Sequence, residues 1–307
     1  MPDLPAVSQS CERLRAAAAK GHGSAEAVAA IESDLALAVA VMRSANRRPR
    51  RGTVASIPDA VAVLQPARLV ALADSVVAEN LLEPRRSDLV PEPLRLHSLA
   101  VHRAVERLNR LCCSPQGNEP LLTAALLHDI GKIALRHCFS DDAALPSDRP
   151  FTPEAGVEAE QRAVGIDHAA VGATLVREWG LPETLAEAIE GHHSPRAAGN
   201  AGIIQLADLL VHYGQGHLVD IERLVRLSRT LEVTRDDLSA LMYELPYPIT
   251  EPRRSVDPCP LSERELAVLE ALSEGKTYKQ IAAELALPHE LAAGQRRALR
   301  TGDDLPA

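Results

Sequence analysis

His97, the adjacent pair His128-Asp129, His168, the doublet His192-His193 and Asp208 punctuate segments that are otherwise apolar. Imidazole nitrogens and carboxylate oxygens in the order His…His-Asp…His…His-His…Asp are ligand types that hold a divalent cation able to activate water. The run Leu126-Leu127-His128-Asp129-Ile130-Gly131-Lys132 is the most telling. Burying an unpaired carboxylate is expensive, so an Asp in such surroundings implies a partner. Neutral imidazoles with carboxylates suit Mn, Fe, Zn or Ni better than Ca, which takes oxygen ligands. Asp129 is the natural bridge if two ions bind rather than one. Gly131 lets the chain pack closely behind the site. Lys132 either meets an anionic substrate oxygen or is a solvated helix residue. Asp129 and Lys132 are therefore the catalytic candidates. The chemistry these groups would support is hydrolysis of a phosphate ester, with a nucleotide or other phosphate-ester ligand.

Helical spacing tests whether the candidates can meet. His97 shares a face with Val101, Ala104 and Leu108, and His128 with Leu121, Ala124 and Ala125. His168 aligns with Val171, Gly172, Leu175 and Trp179, and Asp208 with Ile204, Val211 and His212. Each polar residue thus points with the apolar stripe of its own segment. A lone buried histidine is ordinarily a core residue satisfied by a backbone carbonyl. Several imidazoles and two carboxylates converging without a cation would incur several kcal/mol of mutual desolvation, about as much as folding domains have to spare. The remaining histidines, His22, His102, His137, His212, His217 and His289, lie in less supportive settings and are set aside.

The elements that must position these residues read as helices throughout. The 307 residues suffice for two domains or one with an appendage. A 46% hydrophobic and 2% aromatic composition implies a core of Ala, Leu and Val, as packed helices use. Asp34 to Asn46 and Ile57 to Leu64 carry helical periodicity, the second with Pro58 in its first turn. Gly180-Leu181-Pro182-Glu183 predicts a helix stop and restart. The Pro/Asp-rich stretch 140–153 reads as a loop, and the basic run 47–52 as a solvated loop or a phosphate-binding patch. No strand-like alternation or internal repeat is evident. The expected fold is all-α: a two-lobed helical bundle with lobes over 1–85 and 90–245. A Pro-rich linker over 246–260 and a compact segment over 261–300 follow.

A net charge of −9 and a pI near 5.7 exclude coating of nucleic acid or anionic membrane by bulk charge. The five cysteines show no CxxC spacing and, with no secretory signal, read as reduced thiols of a soluble, cytoplasmic protein. The apolar runs are too short to span a bilayer.

The series His97, His128-Asp129-Ile130-Gly131-Lys132 and Asp208 resembles the HD superfamily of metal-dependent phosphohydrolases. The wider set resembles the HDOD (HD-related output domain) family across roughly residues 3–220. It comprises Ser33-Asp34-Leu35-Ala36, Val41-Met42-Arg43-Ser44-Ala45-Asn46, Ser56-Ile57-Pro58-Asp59, Gly165-Ile166-Asp167-His168, Trp179-Gly180-Leu181-Pro182 and Ile204-Gln205-Leu206-Ala207-Asp208. The resemblance implies a helical signalling module of a group commonly described as degenerate HD domains that have lost ligands and catalysis. This chain keeps the full series. It is similar in this to the HD-GYP phosphodiesterases, but Ser194-Pro195-Arg196 follows the His-His doublet where a Gly-Tyr-Pro signature would stand, which disfavours cyclic-di-GMP hydrolysis.

The stretches 260–269 and 274–285 resemble the first two helices of a LuxR-type helix-turn-helix. The third stretch, 288–297, departs from that family's recognition helix, and few residues follow it. From Leu261 to Arg300, six basic residues meet six acidic ones, so weak DNA binding through Lys279, Arg296, Arg297 and Arg300 is expected. Two functions stand. One is a regulatory HDOD protein with a retained metal site, a signalling protein as partner and a transcription-regulator-like output. The other is an active phosphohydrolase on a nucleotide or cyclic nucleotide.

Overall fold

The computed structural model describes residues 8–20, 25–47, 52–82, 90–112, 118–139 and 152–244, together with position 280. Every regular element among them is a helix, as expected. In chain order they are α1 (Ser8–Ala18), α2 (Ala25–Glu32), α3 (Leu35–Asn46), α4 (Ile57–Val63), α5 (Pro66–Leu82), α6 (Glu92–Cys112) and α7 (Glu119–Leu127). There follow α8 (Ile130–Cys138), α9 (Pro153–Val164), α10 (His168–Glu178), α11 (Glu183–Gly191), α12 (Gly199–Gly214), α13 (Ile221–Thr230) and α14 (Arg235–Glu244). The chain divides into two compact units, Met1–Pro248 and Ile249–Ala307.

Local chemistry sets the helix boundaries. Asp34 accepts from the Ala36 and Leu37 amides to cap α3, and Ser56 accepts from Asp59 to cap α4. Each such cap contributes roughly 1 kcal/mol by satisfying amides that have no partner inside the helix. Thr152 and Asp167 do the same for α9 and α10. Gly165 ends α9 in the left-handed region, at a φ of 79°. Gly180 adopts a φ of 72° just past Trp179, the residue that closes α10, and α11 starts at Glu183, matching the predicted stop and restart.

α1 to α5 pack on one another around Leu14, Ile31, Leu37 and Met42, all fully buried. α6, α7, α8, α10, α11 and α12 form a second assembly: α12 lies on α6, α8 on α10, and α11 on α7, α10 and α12. α4 of the first group packs on α7 of the second, where the Ile57 amide donates to Thr123 Oγ1 at 3.2 Å. No helix among the described residues is long and apolar enough to cross a membrane. The expectations for the basic run at 48–51, the loop at 140–151, the linker and the helix-turn-helix fall outside the described residues, apart from Gln280.

Candidate metal centre

Four helix ends and two helix interiors deliver six of the seven predicted ligands to one place, and His193, just past the end of α11, joins them with its Nε2 3.0 Å from His168 Nε2. His97 projects from the middle of α6 and Asp208 from the middle of α12, two helices packed side by side. His128 is the residue that closes α7, and His192 the one that closes α11. His168 is the first residue of α10. Asp129 occupies the position preceding α8, where a carboxylate would normally cap the helix, yet it makes no such bond. Its oxygens face the cluster instead.

The side chains fall into two sets, Asp129/His168/His192/His193 and His97/His128/Asp208, each with its ligand atoms within 4.8 Å of one another. Asp129 lies between them. Its Oδ1 sits 3.2 Å from His168 Nε2 and 3.9 Å from His192 Nε2. Its Oδ2 sits 3.4 Å from His128 Nε2 and 3.6 Å from His97 Nε2. Its two oxygens thus face the two sets separately. Asp208 Oδ1 lies 3.0 Å from His97 Nε2. Lys132, one turn into α8, donates to Asp129 Oδ2 at 2.7 Å and keeps its side chain partly exposed.

Helix geometry fixes the imidazole tautomers. The last carbonyls of a helix lack partners within it. His128 Nδ1 meets the Ala125 carbonyl at 2.7 Å, and His192 Nδ1 meets the Ile189 carbonyl at 2.5 Å. A carbonyl only accepts, so both rings carry their proton on Nδ1 and present a bare Nε2 inward. His168 Nδ1 likewise donates to Glu160 Oε2 at 2.7 Å. Three rings therefore turn lone pairs toward the same carboxylate, which has no proton to offer them.

The donor set fits a divalent transition metal. His97 Nδ1 and Nε2, His128 Nε2, His192 Nε2 and Asp129 Oδ1 are buried without a hydrogen-bond partner, an arrangement native cores avoid unless something else satisfies these atoms. Asp129, Asp208 and Glu160 are buried carboxylates, and Lys132 is the ammonium beside them. Burial drives His128 below its ordinary range and takes His192 down to about 3, so both are neutral ligands at physiological pH. Burial opposes ionisation of Asp129, but His128 and Lys132 outweigh it and hold the carboxyl well below its usual range. Burial and Lys132 push His168 down, yet the Asp129 and Glu160 carboxylates on either side of the ring leave it raised.

Three residues not anticipated as members join the cluster. Glu160 was not singled out at all. His212 and His217 were set aside, although His212 shares the Asp208 face. His212 Nε2 lies 3.3 Å from Asp208 Oδ1, and its Nδ1 lies 2.8 Å from His217 Nδ1. The i, i+4 spacing of Asp208 and His212 in a helix was the available signal. Gly131 meets its expectation: a Cβ there would stand 1.9 Å from the His168 carbonyl oxygen and 2.7 Å from the Gly172 amide nitrogen. Only glycine lets α8 and α10 approach this closely.

Residues 1–195 match the HDOD domain family. The chain belongs to the HDOD family. Residues 259–289 match the bacterial regulatory proteins of the LuxR family. Among solved structures, the HDOD chain is similar to the MmoQ response regulator from Methylococcus capsulatus str. Bath, with 22% identity and a TM-score of 0.59. The match covers 78% of this chain and 98% of that one. It is also similar to a virulence factor from Campylobacter jejuni subsp. jejuni, with 16% identity, a TM-score of 0.56, and 79% and 90% of the two chains covered. At these identities the likeness establishes the shared fold. No curated protein matches the sequence.

Proposed function

We propose that this HDOD protein is a signalling regulator whose helical region, in lobes over 1–85 and 90–245, binds one or two divalent transition-metal ions, Mn, Fe, Zn or Ni. His97, His128, Asp129, His168, His192, His193 and Asp208 hold them. The Pro-rich linker over 246–260 connects this sensor to the LuxR-like segment over 261–300, which serves as the output. A nucleotide or other phosphate ester is the ligand class, and a signalling protein or weakly held DNA the downstream partner. The observation that carries the reading is Asp129, whose two oxygens face separate sets of imidazoles with lone pairs already oriented. The fold likeness to a protein described as a response regulator supports the regulatory role.

A second reading is favoured by the complete ligand series together with Lys132: a metal-dependent phosphohydrolase acting on a nucleotide or cyclic nucleotide. A bound ion would neutralise phosphoryl charge and lower the pKa of a bound water. Asp129 would orient the ligand set, and Lys132, hydrogen-bonded to Asp129 and partly exposed, would receive a phosphoryl oxygen.

Metal analysis of purified protein, with phosphodiesterase assays across a nucleotide panel on wild type and Asp129→Ala, separates the two. Stoichiometric transition metal without turnover is the expected result. Turnover abolished by Asp129→Ala establishes the enzyme. Absence of bound metal under metal-replete conditions overturns both. For the output, gel shifts should show weak DNA binding with a shallow salt dependence, and loss of Arg296 and Arg297 should weaken it further.

A further inference from the structure

α9 is an unusual helix: its one buried residue is a carboxylate, Glu160. Surface helices ordinarily seat themselves through an apolar stripe. Here Val157, Ala159 and Val164 remain partly exposed while Glu160 is enclosed. An enclosed carboxylate needs strong partners, and Glu160 has two on one residue. Its Oε2 accepts from His168 Nδ1 at 2.7 Å and from the His168 backbone amide at 2.8 Å. That amide opens α10, where helix amides are unpaired and the dipole favours an anion.

We propose that Glu160 is the positioning residue for His168, and that through it the docking of α9 is coupled to metal binding. The contrast with the other rings explains why an external carboxylate is required. His128 and His192 stand at helix C-termini, where a carbonyl three residues back accepts Nδ1–H. His168 stands at a helix N-terminus, preceded by the Gly165-Ile166-Asp167 turn, and has no such carbonyl in reach. Glu160 takes that role, holding the proton on Nδ1 and the Nε2 lone pair toward Asp129 Oδ1. An anionic acceptor also makes the ring a stronger donor to a cation than a carbonyl does. At its other end, α9 is tied to α13 by Glu154 Oε1 and Arg223 Nη1, 3.0 Å apart and both mostly buried. Metal at His168 therefore tightens α9, and loosening α9 weakens the metal, since such coupling is reciprocal.

This inference rests on the metal reading above and is tested separately from it, on the full chain with cobalt(II) as the probe. Wild type is expected to take up cobalt with a visible ligand-field spectrum, and metal is expected to slow hydrogen exchange of the amides in 153–164. Glu160→Gln is expected to weaken cobalt about 10- to 100-fold and to alter the spectrum. The same substitution made in a His168→Ala background is expected to change affinity no further. Unchanged affinity and spectrum in Glu160→Gln would overturn the proposal while leaving the metal site standing. Should that variant fail to fold, exchange in 153–164 that ignores cobalt in the wild type overturns it equally. Failure of the wild type to bind cobalt at all removes the metal reading itself.

Discussion

Among the described residues, two places bury histidine beside carboxylate, and they behave differently. At the junction of α2 and α6, His102 Nε2 lies 4.0 Å from Glu32 Oε1, buried and without a hydrogen-bond partner. Burial, reinforced by Glu119 and Glu106, raises the Glu32 carboxyl to about 7, while burial takes His102 down to about 4. Both groups thus favour their neutral forms. In the candidate metal centre Asp129 and Asp208 are instead held ionised, and imidazole rings converge on them from several helices. A buried histidine is a packing compromise in the first place and a candidate ligand in the second. Convergence, not burial, makes the difference.

The largest expected effect tests the close approach that allows convergence. Gly131→Ala forces a methyl into the backbone of α10 and should destabilise by about 4 kcal/mol or more, read from urea unfolding. Next comes the ligand set. Asp129→Ala and His192→Leu should each weaken cobalt at least about 100-fold, near 3 kcal/mol. Wild type should gain roughly 4 kcal/mol of thermal stability at a thousandfold excess of metal over Kd, and chelation should remove it. If His192→Leu left metal binding intact, the distinction between the two buried histidine sites would fail.

The α2–α6 junction should answer to pH instead. The folded-state pKa of Glu32, about 7, lies above its ordinary 4.5. Its favourable contribution is full below pH 4.5 and is lost as pH rises through 7. His102, at about 4 against an ordinary 6.5, contributes above pH 6.5 and loses that as pH falls through 4. Glu32→Gln should therefore stabilise the protein at pH 8 by roughly 1–2 kcal/mol, discounted for partial solvent screening, and leave pH 4.5 nearly unchanged. A gain of equal size at both pH values would contradict this account. His102→Leu should change stability by less than about 1 kcal/mol, because the lost nitrogen had no partner. Gly156→Ala, in α9 with open space around its Cβ, should stabilise by about 0.5–1 kcal/mol.

Much of this was legible in the residues. Pro58, Gly180 and Pro182 announce their helix boundaries because first-turn prolines and left-handed turns are local chemistry. The seven candidate ligands stood out as a set because carboxylate and imidazole types contrast with an apolar helical stripe, and the structure brings them together. Glu160 did not stand out, since an acidic residue in a helix rich in Glu and Ala looks like any solvated one. Its partner His168 is only eight residues away, but the intervening turn at Gly165 decides whether they meet. His217 was equally hidden, at the far side of the turn that ends α12.

The amino-acid sequence by itself determined an all-helical chain of the HDOD type and the identities of the groups that could hold a cation, because helix periodicity and side-chain chemistry are properties of short segments. Only the tertiary structure decided that Asp129 divides its oxygens between two sets of rings, which ring nitrogen carries each proton, and that α9 grips the cluster through Glu160. Those outcomes depend on how distant helix ends are brought within about 3 Å, and no local rule reaches that far.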